Sequence, residues 1–392
     1  MEVFLGEWLN LLIRWAHMIV AIGWIGTSFY FMALDYSLSK QGRMNPGVLG
    51  TAWQVHGGGF YYVEKYTVAP ATLPEVLHWF KWEAYLTWVT GFGLLVVQYY
   101  FHADAFLIDP AVMPLSAWQA AAISAASLAA GWFIYDGLCR SKVGDNTVVL
   151  ALAVFALILI ASVLYTKVFS GRGAFIHVGA LVGTIMAVNV FGVIVPNQKK
   201  MIAQMIAGQT PEARYGAIGK QRSIHNNYLT LPVLLMMVSQ HYPFLFSHPH
   251  SWLVVALIIV SGGLIRHLLN RVDAGDDWNR YGWAAPVAAI ALMAAIFVTA
   301  PQAPASGPKV ADAAALAIAQ RHCTNCHAAR PTHPAFNAAP KDVSLETLAD
   351  LRRYSALILA QAVQNRAMPL GNQTGMTEDE RQTLGRWVNG LK

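Results

Sequence analysis

Eight stretches of roughly twenty mostly apolar residues, each long enough to cross the hydrocarbon of a bilayer, occupy the first three hundred positions. They run over Trp8 to Leu34, Trp82 to Phe101, Trp118 to Cys139, Thr147 to Phe169, Ala174 to Val195, Tyr228 to Phe246, Trp252 to Leu269 and Trp283 to Ala300. Lipid offers no hydrogen bonds, so a spanning backbone must satisfy its own polar groups, which a helix does within one segment. Trp and Tyr recur at the segment ends, where an aromatic belt belongs. Composition agrees: only 12% of residues are charged and 56% are hydrophobic, against about 25% charged in a soluble protein. The expected partner is membrane lipid.

Lys and Arg in the connections set an orientation. Counted with the segment ends that border them, the first, third, fifth and seventh connections carry 4, 2, 5 and 3 of them (the last Arg266, Arg271 and Arg280), while the N-terminus and the even-numbered connections together carry only Lys167 and Arg172. By the positive-inside rule the odd connections face the cytoplasm, and both termini are expected in the periplasm of a bacterial inner membrane. Glu2 and Glu7 stand where a signal peptide would be basic, so the first helix is expected to be retained. No run of like charge suggests a nucleic-acid partner.

After residue 300 the composition changes. APQAPASGPK (Ala300 to Lys309) reads as a semi-rigid linker, which divides the chain into a membrane domain at 1–300, a linker at 301–309 and a small domain at 310–392. That domain opens with a helix over Asp312 to His322 that runs into Cys323-Thr324-Asn325-Cys326-His327, the C-x-x-C-H spacing of c-type haem attachment. Two thiols so placed can bond both vinyl groups of one porphyrin, with the adjacent imidazole on the iron. Met368-Pro369 lies about 40 residues further on, where a thioether could be the second ligand and would raise the potential. A helical stretch is expected over Leu345 to Arg366, and a last helix is opened by the capping box of Thr377 and Glu380. The fold class expected is all-α: a polytopic bundle of about eight transmembrane helices followed by a small class I cytochrome c domain with one covalent haem c.

Ionisable groups inside a membrane default to functional hypotheses. His17 and His177 lie roughly 13 Å and 5 Å past their segment starts at 1.5 Å per residue, both in the periplasmic half. They are the first-choice ligands of a haem b, should the membrane domain hold one; the alternative is that each is hydrogen-bonded within the bundle. The first connection contains Trp53-Gln54-Val55-His56-Gly57-Gly58-Gly59-Phe60-Tyr61-Tyr62, whose glycines permit close backbone approach beside stacking aromatics. His225, Asn226 and Asn227 enter the sixth segment on the same face.

Several runs resemble the membrane-bound urate oxidases (urate hydroxylases) of bacterial purine breakdown, an eight-helix domain fused to a cytochrome c. They are RWAHMIVAIGWIGTSFYF from Arg14, WQVHGGGFYYVEKY from Trp53, LHWFKWEAYLTW from Leu77, VNVFGVIVPNQKK from Val188, SIHNNYLTLPVL from Ser223 and AMPLGNQTGMT around Met368. The resemblance implies oxidation of urate to 5-hydroxyisourate, with electrons passing to the haem c and on to a periplasmic cytochrome or terminal oxidase. His56 and His225 are then the candidate proton acceptors, with Asn226 and Asn227 as amide partners. Two other classes stay open: an electron carrier or respiratory subunit with no substrate of its own, and a transporter with a fused redox sensor.

Reporter fusions at Lys392 and inside the connection between Lys199 and Arg222 should report opposite sides of the membrane. The same side for both would overturn the eight-segment count.

Overall fold

The computed structural model describes residues 2–40, 44–300, 307–333 and 336–391. Residues 301–306 of the expected linker lie outside them. A helix forms in each of the eight apolar stretches. In chain order these are α1 (Glu2–Ser37), α2 (Trp82–Leu95), α3 (Ala117–Arg140), α4 (Thr147–Tyr165), α5 (Gly171–Val188) running on into α6 (Val195–Ile206), α7 (Ala213–Val238), α8 (Ser251–Asp273) and α9 (Ala284–Val298). Among the described residues, six helical stretches are long and apolar enough to cross a membrane: those built on α1, α3, α4, α5 with α6, α8 and α9. The two left out have simple reasons. α2 reaches its length only through a wide π turn at Val96–Tyr100, and the first half of α7 carries Arg214, Lys220, Arg222 and His225.

The all-helical expectation fails at one place. Residues 48–66, which contain the HGGGFYY run, form a β-hairpin, β1 (Val48–His56) paired antiparallel with β2 (Gly59–Tyr66). Gly57 and Gly58 have φ of +57° and +79°, the left-handed pair that a two-residue hairpin turn demands. The glycines serve a turn, and the flanking aromatics are the alternating residues of two strands.

The connections sort to two ends of the bundle. Ser170 N–H donates to Leu107 C=O at 2.8 Å and its hydroxyl to Phe106 C=O at 2.8 Å, while the Arg172 guanidinium sits 5.7 Å and 5.3 Å from the Phe106 and Phe246 ring centres. The second, fourth and sixth connections therefore meet at one end, here the Ser170 end. At the other, Gln221 donates to Gly144 C=O at 3.0 Å, Lys65 pairs with Asp35, and Arg271 lies over Tyr36. This is the basic end.

Polar side chains stitch the helices between those ends. Asp136 of α3 accepts from Arg222 of α7 at 2.7 Å and from Arg140 at 2.6 Å, and the Arg222 side chain is 2% exposed. Asn189, in a π turn between α5 and α6, donates to Tyr135 Oη at 2.9 Å and Asn226 Oδ1 at 3.0 Å. Asn270 of α8 donates to Asn227 Oδ1 at 2.9 Å. The apolar core around them includes Leu128, Leu150, Ile158, Phe175, Val182 and Met236.

The C-terminal region is helical as expected at both ends: α10 (Asp312–His322), α11 (Leu348–Arg353) and α12 (Glu378–Asn389), the last with its Thr377–Glu380 capping box. The stretch between, expected as one helix, breaks at Tyr354 and runs through Ser355–Ile358 into a π turn at Leu359–Gln364. Its own core gathers Ala315, Ala319, Leu351, Leu384, Trp387 and Val388. The Glu380 carboxyl is pulled down to about 2, first by the Thr377 backbone N–H and then by the His322 and Thr377 side chains. Its contribution to stability is present above the ordinary carboxylate range and is lost as pH falls toward 2.

Removing one partner of a buried ion pair leaves the other charge uncompensated, at a cost of about 3–5 kcal/mol. Asp136→Ala is expected to lower the melting temperature of the detergent-solubilised protein, and Asp136→Leu combined with Arg222→Met to recover most of the loss. A melting temperature unchanged in Asp136→Ala would show that the pair does not hold α3 to α7.

Candidate functional site

The C-terminal motif forms a tight turn at the end of α10: Cys326 N–H and His327 N–H both donate to Cys323 C=O, at 3.2 Å and 2.8 Å. Neither cysteine is in a disulfide. His327 Nδ1 lies 2.8 Å from Val343 C=O. A carbonyl can only accept, so Nδ1 carries the proton and Nε2 keeps its lone pair, the usual arrangement of an imidazole that ligates iron. Met368 sits on a loop held by the buried guanidinium of Arg381, which donates to Met368 C=O at 2.6 Å, to Asn372 Oδ1 at 3.3 Å and to Ala362 C=O. Two thiols, an imidazole with a free Nε2 and a thioether on a pinned loop suit a covalent haem c. Arg381 was not legible as part of this set, because an arginine in the first turns of an amphipathic helix reads as solvated.

At the Ser170 end of the membrane bundle a cavity of about 310 Å³ opens between α1, α2, α5 and α7, within the roughly 300–1,000 Å³ of small-molecule sites. Trp24, Trp88 and Phe92 give it aromatic walls, with Trp88 and Phe92 stacked at 5.4 Å. Its polar groups come from three helices. Arg14 donates to Asn10 Oδ1 at 3.2 Å and Gln98 Oε1 at 2.9 Å, and Gln98 Nε2 donates to Gln240 Oε1 at 3.1 Å. Among the described residues no carboxylate pairs with Arg14. His17 Nδ1 lies 3.0 Å from Thr90 Oγ1, whose own proton goes to Leu86 C=O at 2.6 Å. Thr90 therefore accepts from Nδ1–H, and Nε2 of His17 keeps a lone pair. Gln98, Gln240 and Trp88 were missed in the sequence because each is one polar or aromatic residue in an apolar segment; only the packing brings them to Arg14.

This cavity lies beside the C-terminal region. Tyr99 of its lining stacks edge-on at 6.2 Å with Phe106, in the one-turn helix Ala103–Phe106. That helix packs against Leu370–Asn372, which directly follow Met368 and Pro369. At Gly371, φ +58°, a Cβ would stand 2.6 Å from Asp104 C=O and 3.0 Å from Ala105 C=O.

The other expected site residues divide. His225, Asn226 and Asn227 are brought together, but with one another's neighbours. His225 Nδ1 is 2.7 Å from Tyr135 Oη, Asn226 donates to Met186 C=O at 2.9 Å, and Asn227 takes the Asn270 bond. His56 is exposed near the tip of the β-hairpin, and the structure does not bring it to that cluster. His177 is fully buried, with Nδ1 2.6 Å from Gly173 C=O, Nε2 2.6 Å from Ser124 Oγ and the ring packed on Phe169. Both of its nitrogens are engaged and it does not line the His17 cavity, which does not fit the two as axial ligands of one haem b.

A family model described as urate oxidase N-terminal matches residues 3–300. No curated protein and no solved structure matches the chain.

Cys326→Ala should leave a protein that gives up its haem to acidified acetone, and haem retained covalently would overturn the attachment. Met368→His should lower the midpoint potential, since imidazole in place of thioether favours ferric iron; an unchanged potential would exclude Met368 as a ligand.

Proposed function

The chain belongs to the urate oxidase N-terminal family, and from that premise we propose that it oxidises urate to 5-hydroxyisourate in the cavity at the Ser170 end. In this reading eight helices span the bacterial inner membrane with the basic end in the cytoplasm and both termini in the periplasm. Electrons leave through a haem c on Cys323, Cys326, His327 and Met368 to a periplasmic cytochrome or terminal oxidase. The observation that carries the proposal is the juxtaposition of a cavity holding a cation that no carboxylate among the described residues pairs with, and the Gly371 joint that brings the C-terminal region to the same end.

Urate is a planar anion. Arg14 balances its charge, the carboxamides of Gln98 and Gln240 match its ring N–H and C=O edges, and Trp88 offers a face for stacking. Loss of two electrons makes C5 electrophilic; one water adds there and two protons leave, giving 5-hydroxyisourate. His17 Nε2 is the acceptor for a proton at the cavity wall, and Thr90 holds the ring in the tautomer that keeps this lone pair available. A haem held by Cys323, Cys326, His327 and Met368 would supply a one-electron acceptor, so that the two electrons would leave in succession and dioxygen need not enter the site. At the basic end His225, Asn226 and Asn227 each bond a neighbouring helix, which supports a structural part for them, while Asn189 Oδ1, Asn227 Nδ2, Asn270 Oδ1 and two Arg222 nitrogens are buried there without a hydrogen-bond partner among the described residues. A carrier without a substrate of its own has no use for an arginine, with no carboxylate partner among the described residues, beside an aromatic-walled cavity.

Urate added anaerobically should reduce the haem c with no peroxide formed. Arg14→Ala should raise KM at least about tenfold, the loss of a charge-assisted hydrogen bond, and His17→Ala should lower kcat by about a hundredfold, as for removal of a general base. His56→Ala should turn over like the parent. Normal kinetics in Arg14→Ala and His17→Ala, with His225→Ala inactive yet fully haem-loaded, would move the site to the basic end.

A further inference from the structure

A second cavity, of about 640 Å³, opens at the basic end between α1, the segment following the β-hairpin, α6 and α7. Its lining is more polar than that of the first and includes Thr27, Ser28, His78, Lys81, Gln198 and Ser223. The Lys81 ammonium lies 5.4 Å and 5.2 Å from the ring centres of Trp79 and Trp82, and no carboxylate among the described residues pairs with it. Its lining thus offers a cation beside an aromatic face, the same two chemistries that the first cavity offers toward the Ser170 end.

The two cavities share one lining residue, Trp24. Along α1 their combined lining runs from Arg14 to Met32. At 1.5 Å per residue this is roughly 27 Å, close to the roughly 30 Å of a hydrocarbon core.

We propose that the second cavity is an entry vestibule through which planar oxopurine anions reach the first from the basic end, passing at Trp24. The inference rests on the reading of the first cavity as the site of urate oxidation and adds a direction to it. Substrate enters at one face of the membrane and electrons leave at the other, so the reaction itself is vectorial. The aromatic and cationic lining recognises a flat, negatively charged heterocycle; a neutral or non-planar solute gains neither contact.

The test uses the full-length holoprotein in membrane vesicles of defined orientation, with urate as the probe and haem c reduction as the readout, in a Cys139→Ser background. Urate should reduce the haem in inverted vesicles, whose outer surface is the basic end, and in right-side-out vesicles only after detergent is added. In the same background Ser28→Cys, alkylated with a bulky charged maleimide and checked for full labelling by mass, should lose at least tenfold in rate relative to its unlabelled form. The loss should persist in detergent, while ascorbate still reduces the haem. Reduction in intact right-side-out vesicles, or an undiminished rate after complete labelling, would overturn the vestibule. Failure of urate to reduce the haem of unlabelled parent protein in detergent would instead overturn the underlying assignment of urate oxidation.

Discussion

The buried ion pair between Asp136 and Arg222 is the constraint on which the membrane bundle depends. Between apolar helices in lipid there is little hydrophobic drive to select one packing over another, and polar contacts supply the specificity. An arginine 2% exposed cannot slide along its neighbour without abandoning its counter-charge. With α7 fixed against α3, the Tyr135–Asn189–Asn226 and Asn227–Asn270 bonds fall into register and carry α5, α6 and α8 with them. The wide turn at Asn189 makes room for that amide inside the bundle. Both cavities are consequences: they are the space left between α1 and the stitched helices, closed by α2 in the first and by the segment after the hairpin in the second.

Helix positions were legible because hydropathy is a local property that lipid reads directly. The Thr377 capping box and the helix leading into Cys323 were legible for a similar reason, since caps and covalent motifs are written in adjacent residues. The hairpin was misread. Three glycines beside aromatics look alike in a ligand loop and in a tight turn, and only strand pairing across Trp53–Tyr62 and Val55–Phe60 distinguishes them.

The cavity was less legible, and the reason is geometric. The run His225-Asn226-Asn227 drew attention because its polar residues are consecutive, yet consecutive residues on a helix point in different directions and here bond three separate neighbours. Arg14, Gln98 and Gln240 are the opposite case. Each is isolated in its own apolar segment, and they meet only because three helices converge at the Ser170 end. His17 was legible as a residue of interest, but its partner is Thr90 rather than His177.

The close approach at Gly371 puts main chain against main chain at the joint between the two halves of the chain, beside charge interactions of Arg381 with Asp109 and Arg366 with His248. Salt screens interactions between exposed charges over about 8–10 Å, but it has little hold on a contact made by a glycine and two carbonyls. Changes in ionic strength would therefore spare the Gly371 contact itself, even while they loosened the charge interactions beside it and the surface pairs between Arg352 and Asp312 or Arg366 and Glu378. A mobile carrier that docks through charged patches is tuned by the saltiness of its compartment. A C-terminal region seated in part on bare backbone keeps that contact whatever the salt, and its spacing from the bundle at Gly371 becomes a fixed dimension of the molecule.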